Sequence, residues 1–200
     1  MLFNYKYKKN SKITFSDMFN FYIDGVPASD YIISRTMMRP RDVIGFVNLC
    51  ISQADNETVI NDSDVLEAEN IFKQERYQAL EHEWVNIYGS IDTYFKIMYK
   101  LGNEFTFNED FCHKIFSDIE IIAYSNNILA EKICNRREDD ESSKVDFIKY
   151  IINILFTMGL IGIKDLKTSK VNYATPYRAK LSELDFANEL SFEIHPLFTK

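Results

Sequence analysis

Glycine, proline and cysteine are all scarce: six, four and three in 200 residues. So little glycine and proline excludes a long flexible linker or a low-complexity tract. Cys50, Cys112 and Cys134 are odd in number and widely spaced. They argue for reduced thiols in a cytosolic protein rather than a disulfide framework. No apolar run approaches the roughly 18–20 residues that cross a bilayer. The opening Asn4-Tyr5-Lys6-Tyr7-Lys8-Lys9-Asn10 is too polar for a signal peptide. The expected location is therefore cytoplasmic, with no membrane partner.

Catalytic motifs are missing as well. There is no G-x-x-x-x-G-K-[ST] loop to cradle phosphates, and no apolar strand ending in paired acids to hold Mg²⁺. G-x-S-x-G, H-E-x-x-H and paired C-x-x-C patterns are absent too. The chain alone is not expected to be an enzyme, to hydrolyse ATP or to hold a cofactor. A net charge of −7 argues against a dominant grip on a phosphate backbone, which needs a basic face.

What is present is apolar and aromatic. Hydrophobic residues make up 46% of the chain, with sixteen Phe and twelve Tyr, enough for packed helices around an ordinary core. Ser16 can cap a short helix to about Ile23, ended by Asp24-Gly25, and Pro27 to about Met37 reads as another. Pro40 suits the first turn of a helix running to about Asp55-Asn56. Asp42 there meets the positive end of the helix dipole, and Val43, Phe46, Val47, Cys50 and Ile51 form one apolar face. Asn61 and Asp64 make a capping-box variant, with Ile60 and Val65 as a hydrophobic staple, opening a long helix to about Tyr88. Ser90 caps a helix through Leu101, closed by Gly102.

Further on, helices open at Phe107-Asn108, span Asn126 to Arg137 and occupy Lys144 to Met158. Leu160–Ile163 and Val171–Tyr173 read as strands around the polar tip Asp165 to Lys170, and Ser191–Ile194 as a third strand. Helices, a strand–wing–strand and a late edge strand are the order of a winged helix, a variant of helix-turn-helix. The expected fold is mostly α (α+β): a helical lid-like domain over 1–89, then a winged-helix domain with a short antiparallel sheet over 90–200.

The run Arg35-Thr36-Met37-Met38-Arg39-Pro40-Arg41-Asp42-Val43-Ile44-Gly45-Phe46-Val47-Asn48-Leu49-Cys50 resembles the segment after the ATPase core in bacterial STAND/KAP-like P-loop ATPases, which are AAA+-like. The resemblance continues from Asp64 to Trp84 and in Ser191 to Pro196. In that family a Pro-Arg at the start of a lid helix, often with an Asn near its middle, occupies a sensor-2-like position facing the nucleotide phosphates. Carried over, this implies Arg41, or less directly Arg39, as a nucleotide-sensing arginine, with Asn48 at the helix middle. The role needs a P-loop ATPase core as partner, because a full family member carries that core before this segment. The resemblance also implies bacterial mobile-element or phage-defence settings. It points to a non-catalytic C-terminal module coupling nucleotide state to a protein or nucleic-acid partner.

The residues themselves leave alternatives. A cation near a helix N-terminus can bond phosphate oxygens, but Arg41 could equally pair with Asp42 or Glu57. Gly45, costly in a helix interior, marks either a close backbone approach or a tolerated substitution. Cys112-His113 and Glu81-His82-Glu83 lack the further ligands of a metal site. His195 reads as a packed turn residue and Trp84 as core. Lys164, Lys167, Lys170, Arg178 and Lys180 gather positive charge around the hairpin. They would contact nucleic acid if the chain were a free-standing winged-helix DNA-binding regulator. The helix Lys144 to Met158 has no arginine to read guanine, so protein contact is the favoured use.

Overall fold

A computed structural model describes residues 14–37, 39–54, 59–135, 141–174, 179–186 and 190–199. The architecture is mostly helical with small antiparallel sheets of two and four strands, an α+β fold. It divides into two compact units, Met1–Tyr77 and Gln78–Lys200.

The first element among the described residues is α1 (Phe15–Met18), capped by Thr14 rather than Ser16. Thr14 Oγ1 accepts the Asp17 N–H at 3.3 Å, and the Thr14 N–H donates to Asp17 Oδ2 at 2.8 Å. The helix expected to reach Ile23 stops early, because β1 (Tyr22–Ile23) pairs with β2 (Val26–Pro27). Their two-residue turn takes Asp24 and Gly25 to positive φ, a backbone that Asp-Gly tolerates and a helix does not. α2 (Ala28–Arg35), α3 (Pro40–Gln53) and α4 (Asp62–Tyr88) follow, the residues of α4 from Gln78 on belonging to the second unit. The expected capping box forms: the Asn61 N–H donates to Asp64 Oδ2 at 2.8 Å and Asn61 Oδ1 accepts the Asp64 N–H at 3.1 Å. Ile60 and Val65 are both buried. The core joins Ile32 of α2, Phe46 and Cys50 of α3, and Val65, Ala68 and Phe72 of α4, with Phe46 stacked on Phe72 at 4.9 Å. Arg35 and Tyr31 both bond Glu69, at 2.8 and 2.6 Å, fastening α2 to α4.

The second unit contains α5 (Ile91–Leu101), β3 (Glu104–Phe107), α6 (Glu109–Ala123), α7 (Asn127–Cys134) and α8 (Glu141–Thr157). Then come β4 (Ile161–Lys164), β5 (Val171–Asn172), the single turn α9 (Glu183–Phe186) and β6 (Leu190–Ile194). The sheet is antiparallel in the order β3-β6-β4-β5, so the last strand lies between the first and the second. β3 went unread in the sequence, although Phe105 and Phe107 alternate inward and Phe105 stacks on Phe192 at 5.3 Å. Asn108 and Asn126 cap α6 and α7 through their side chains. Ser90 makes no side-chain cap on α5; Glu81 Oε2 takes the Ile91 N–H instead, at 2.8 Å. His195 is buried, its Nδ1 accepting the Leu197 N–H, as a packed turn residue does. Trp84 packs on Tyr88 at 5.5 Å, but Ile87 beside it is exposed, so that end of α4 is only partly core.

Candidate functional site

The N-terminus of α3 is the strongest candidate. Pro40 sits in the first turn, where a missing N–H costs nothing, and Arg39 is the cap residue without a side-chain cap bond. Three charged residues meet here. The Arg41 side chain is 75% exposed, whereas Asp42 beside it is only 3% exposed. Arg39 is half-buried. Arg41, Ile44 and Asn48 fall at i, i+3 and i+7 and are all exposed, so an arginine, an apolar side chain and an amide share one open helix face. An added Cβ at Gly45 would meet nothing within 4 Å. The described residues therefore supply no close approach there. Glu57, offered as a partner for Arg41, lies outside the described residues, as does Met38.

The buried row of α3 is Asp42, Phe46 and Cys50. It is rotated by one position from the face expected from Val43 and Val47, which are half-buried. An acid therefore stands in a core row, and a buried carboxylate needs a cation. Arg76 of α4 provides it: Nη1 donates to Asp42 Oδ1 at 3.3 Å, and both side chains are under 10% exposed. This pair was not foreseen. Its signal was present, because Val65, Ala68, Phe72, Arg76 and Leu80 form one buried stripe along α4 with an arginine in it. Arg41 Nε lies 3.6 Å from the same Asp42 Oδ1, a looser contact. Asp42 Oδ2 has no hydrogen-bond partner among the described residues.

Residues 2–81 match the FunZ-associated C-terminal helical domain. The match covers less than half of the chain and takes in Arg39, Arg41, Asp42 and Arg76. The chain thus carries a helical module similar to one described as C-terminal. No curated protein and no solved structure matches.

The basic hairpin residues lie beyond the matched span, and their surroundings differ. Lys164 Nζ is 2.7 Å from Glu104 and 3.2 Å from Glu193, an ion triplet across three strands that holds the ammonium above its ordinary pKa. Lys167 and Lys170 are exposed at the tip, where Asp165 Oδ1 accepts the Lys167 and Thr168 N–H groups. Those bonds hold the Asp165 carboxyl below its usual range. Lys180 is exposed and Arg178 lies outside the described residues.

The polar side chains of α8 are already in use. Asn153 grips the backbone of Leu181 from both sides: Nδ2 donates to its carbonyl at 3.0 Å and Oδ1 accepts its N–H at 3.1 Å. Thr157 Oγ1 reaches the Ala179 carbonyl at 2.9 Å, and Lys144 is bonded to Glu141. Leu181 is buried and Phe186 packs edge-on against Phe107 at 5.0 Å. The segment 179–186 thus lies over the helix that would read a groove.

Metal-ligating groups stay apart. His113 Nδ1 is 2.8 Å from Glu141, His82 is exposed, and burial pushes the Cys112 thiol up to about 12. Among the described residues no group of three His, Cys, Asp or Glu could hold a metal ion, and no helix is long and apolar enough to cross a membrane.

Proposed function

We propose that this chain is the C-terminal lid and winged-helix portion of a STAND/KAP-like P-loop ATPase, non-catalytic by itself, coupling nucleotide state to a protein partner. The observation that carries this reading is the division of labour at α3. Arg76 neutralises the buried Asp42, which leaves Arg41 largely in solvent at a helix N-terminus beside exposed Ile44. An exposed cation at the positive end of a helix suits phosphate oxygens, and the apolar neighbour suits a docking core. The description of the matching family as a C-terminal helical domain supports placing this module after another domain.

For the second unit, the order helix, strand, helices, strand, hairpin, strand, with the last strand between the first two, supports a winged helix. The clamped segment over α8, the paired Lys164 and the net charge of −7 favour a protein partner over duplex DNA. The test is recovery of partners from the source cell with this chain as bait, with and without ATP. The expected result is a P-loop protein whose recovery depends on nucleotide and falls several-fold in Arg41→Ala. Recovery of duplex DNA alone, lost at high salt, would hand the chain to the DNA-binding reading.

A further inference from the structure

In the first unit α3 and α4 each present an open face, and the two faces differ in charge. The α3 face carries Arg41, Ile44 and Asn48. The α4 face carries Leu66, Glu67, Asn70, Ile71, Gln74 and Glu75, all exposed. Their spacing, i, i+1, i+4, i+5, i+8 and i+9, puts them on one side of the helix over about 14 Å. Leu66 and Ile71 leave large apolar side chains in water there. Neither Glu67 nor Glu75 is paired with a cation among the described residues. An open face that joins apolar side chains to unpaired acids fits an occupant that is both apolar and cationic.

The chain itself carries such a stretch. Residues 2–13 lie outside the described residues, and their sequence holds Lys6, Lys8, Lys9 and Lys12 with Phe3, Tyr5 and Tyr7, and no acid. Four cations within twelve residues stand out in a chain of net charge −7. The span that matches the helical domain begins at residue 2, so this stretch and α4 as far as residue 81 fall in one module. Twelve residues reach at most about 40 Å from Thr14, well beyond the length of the face. We propose that residues 2–13 dock on the open side of α4, with their aromatic rings over Leu66 and Ile71 and their lysines on Glu67 and Glu75. The α3 face has the wrong sign for them, because Arg41 repels the lysines. The module thus closes its acidic face with its own chain and leaves the α3 face to a partner. This goes beyond the reading of Arg41 and does not depend on it.

NMR of the full chain at low salt tests the docking. Nuclear Overhauser contacts are expected from the ring protons of Phe3, Tyr5 and Tyr7 to the methyl groups of Leu66 and Ile71. Ring signals are assigned by their loss in Phe3→Leu, Tyr5→Leu and Tyr7→Leu. Glu67→Lys with Glu75→Lys changes only exposed side chains, so the Phe46 and Phe72 signals of the core should stay in place. In that variant the contacts are expected to weaken at least about fivefold, the scale of an exposed ion pair lost. Absence of the contacts in the unaltered chain overturns the docking, and so does their survival at full strength in the folded double variant. A mixture of isotope-labelled and unlabelled chains identifies the occupant. Contacts found only between chains would give the face to a second copy and overturn docking within one chain.

Discussion

Asp42 and Arg76 form a buried ion pair in the first unit. Each alone is an ion taken out of water, and together they are one buried pair with Oδ1 at 3.3 Å from Nη1. Removing one partner leaves an uncompensated charge, which is worse than removing both. Arg76→Met is therefore expected to cost about 3 kcal/mol in urea unfolding. Asp42→Asn added to Arg76→Met should recover at least half of that loss. A double variant as unstable as the single one would mean that the pair does not act as a unit. The same residues show where sequence reading stops. Pro40, Asp42 and the 3.6-residue spacing predict the helix and its start, but a rotation of one position decides whether Asp42 meets solvent or core. Apolar residues at 43, 46, 47, 50 and 51 are wide enough a stripe to permit either. Only the arginine in the buried row of α4 hinted at the answer.

Elements with strong local chemistry were legible, and those decided by distant contacts were not. The Asn61/Asp64 box, the helix starts at Asn108 and Asn126 and the Gly102 end of α5 all formed, because each is fixed within four residues. β3 was missed because four residues between two helices become a strand only when β6 pairs with them. α9 was missed because its anchors, Asn153 and Phe107, are remote in sequence. That anchoring can be measured. Asn153 bonds both backbone groups of Leu181, so Asn153→Ala should free the segment 179–186 without unfolding the sheet. The expected result is Leu181 amide hydrogen exchange at least about tenfold faster, since two hydrogen bonds near 1 kcal/mol each are lost. Amides of β6 should keep their protection. If β6 and Leu181 quicken together, the segment is part of the global core rather than a strap laid over α8.

Across the whole chain, the buried titratable groups set a limit on the alkaline side. Cys50 in the first unit and Cys112 in the second are fully buried, and desolvation pushes each thiol from the ordinary 9.0 up to about 12. Desolvation likewise raises Tyr31 to about 12 and moves Tyr94 upward. All four are neutral when protonated, so the sign is the same for each. Below pH 9 both folded and unfolded chains keep the thiol protons, and these groups leave stability unchanged. Above it the unfolded chain releases protons that the folded chain retains, so stability falls until about pH 12. Each thiol contributes a slope of about 1.4 kcal/mol per pH unit in that window. Urea midpoints followed from pH 7 to 11 should therefore be nearly flat at first and then drop from about pH 9. The drop should appear for probes in both units, Trp84 fluorescence reporting the second. Cys50→Ala should soften it in the first unit alone, because no other cysteine lies there. A first-unit transition whose alkaline slope survives Cys50→Ala would assign the effect to Tyr31, whose window opens a pH unit higher.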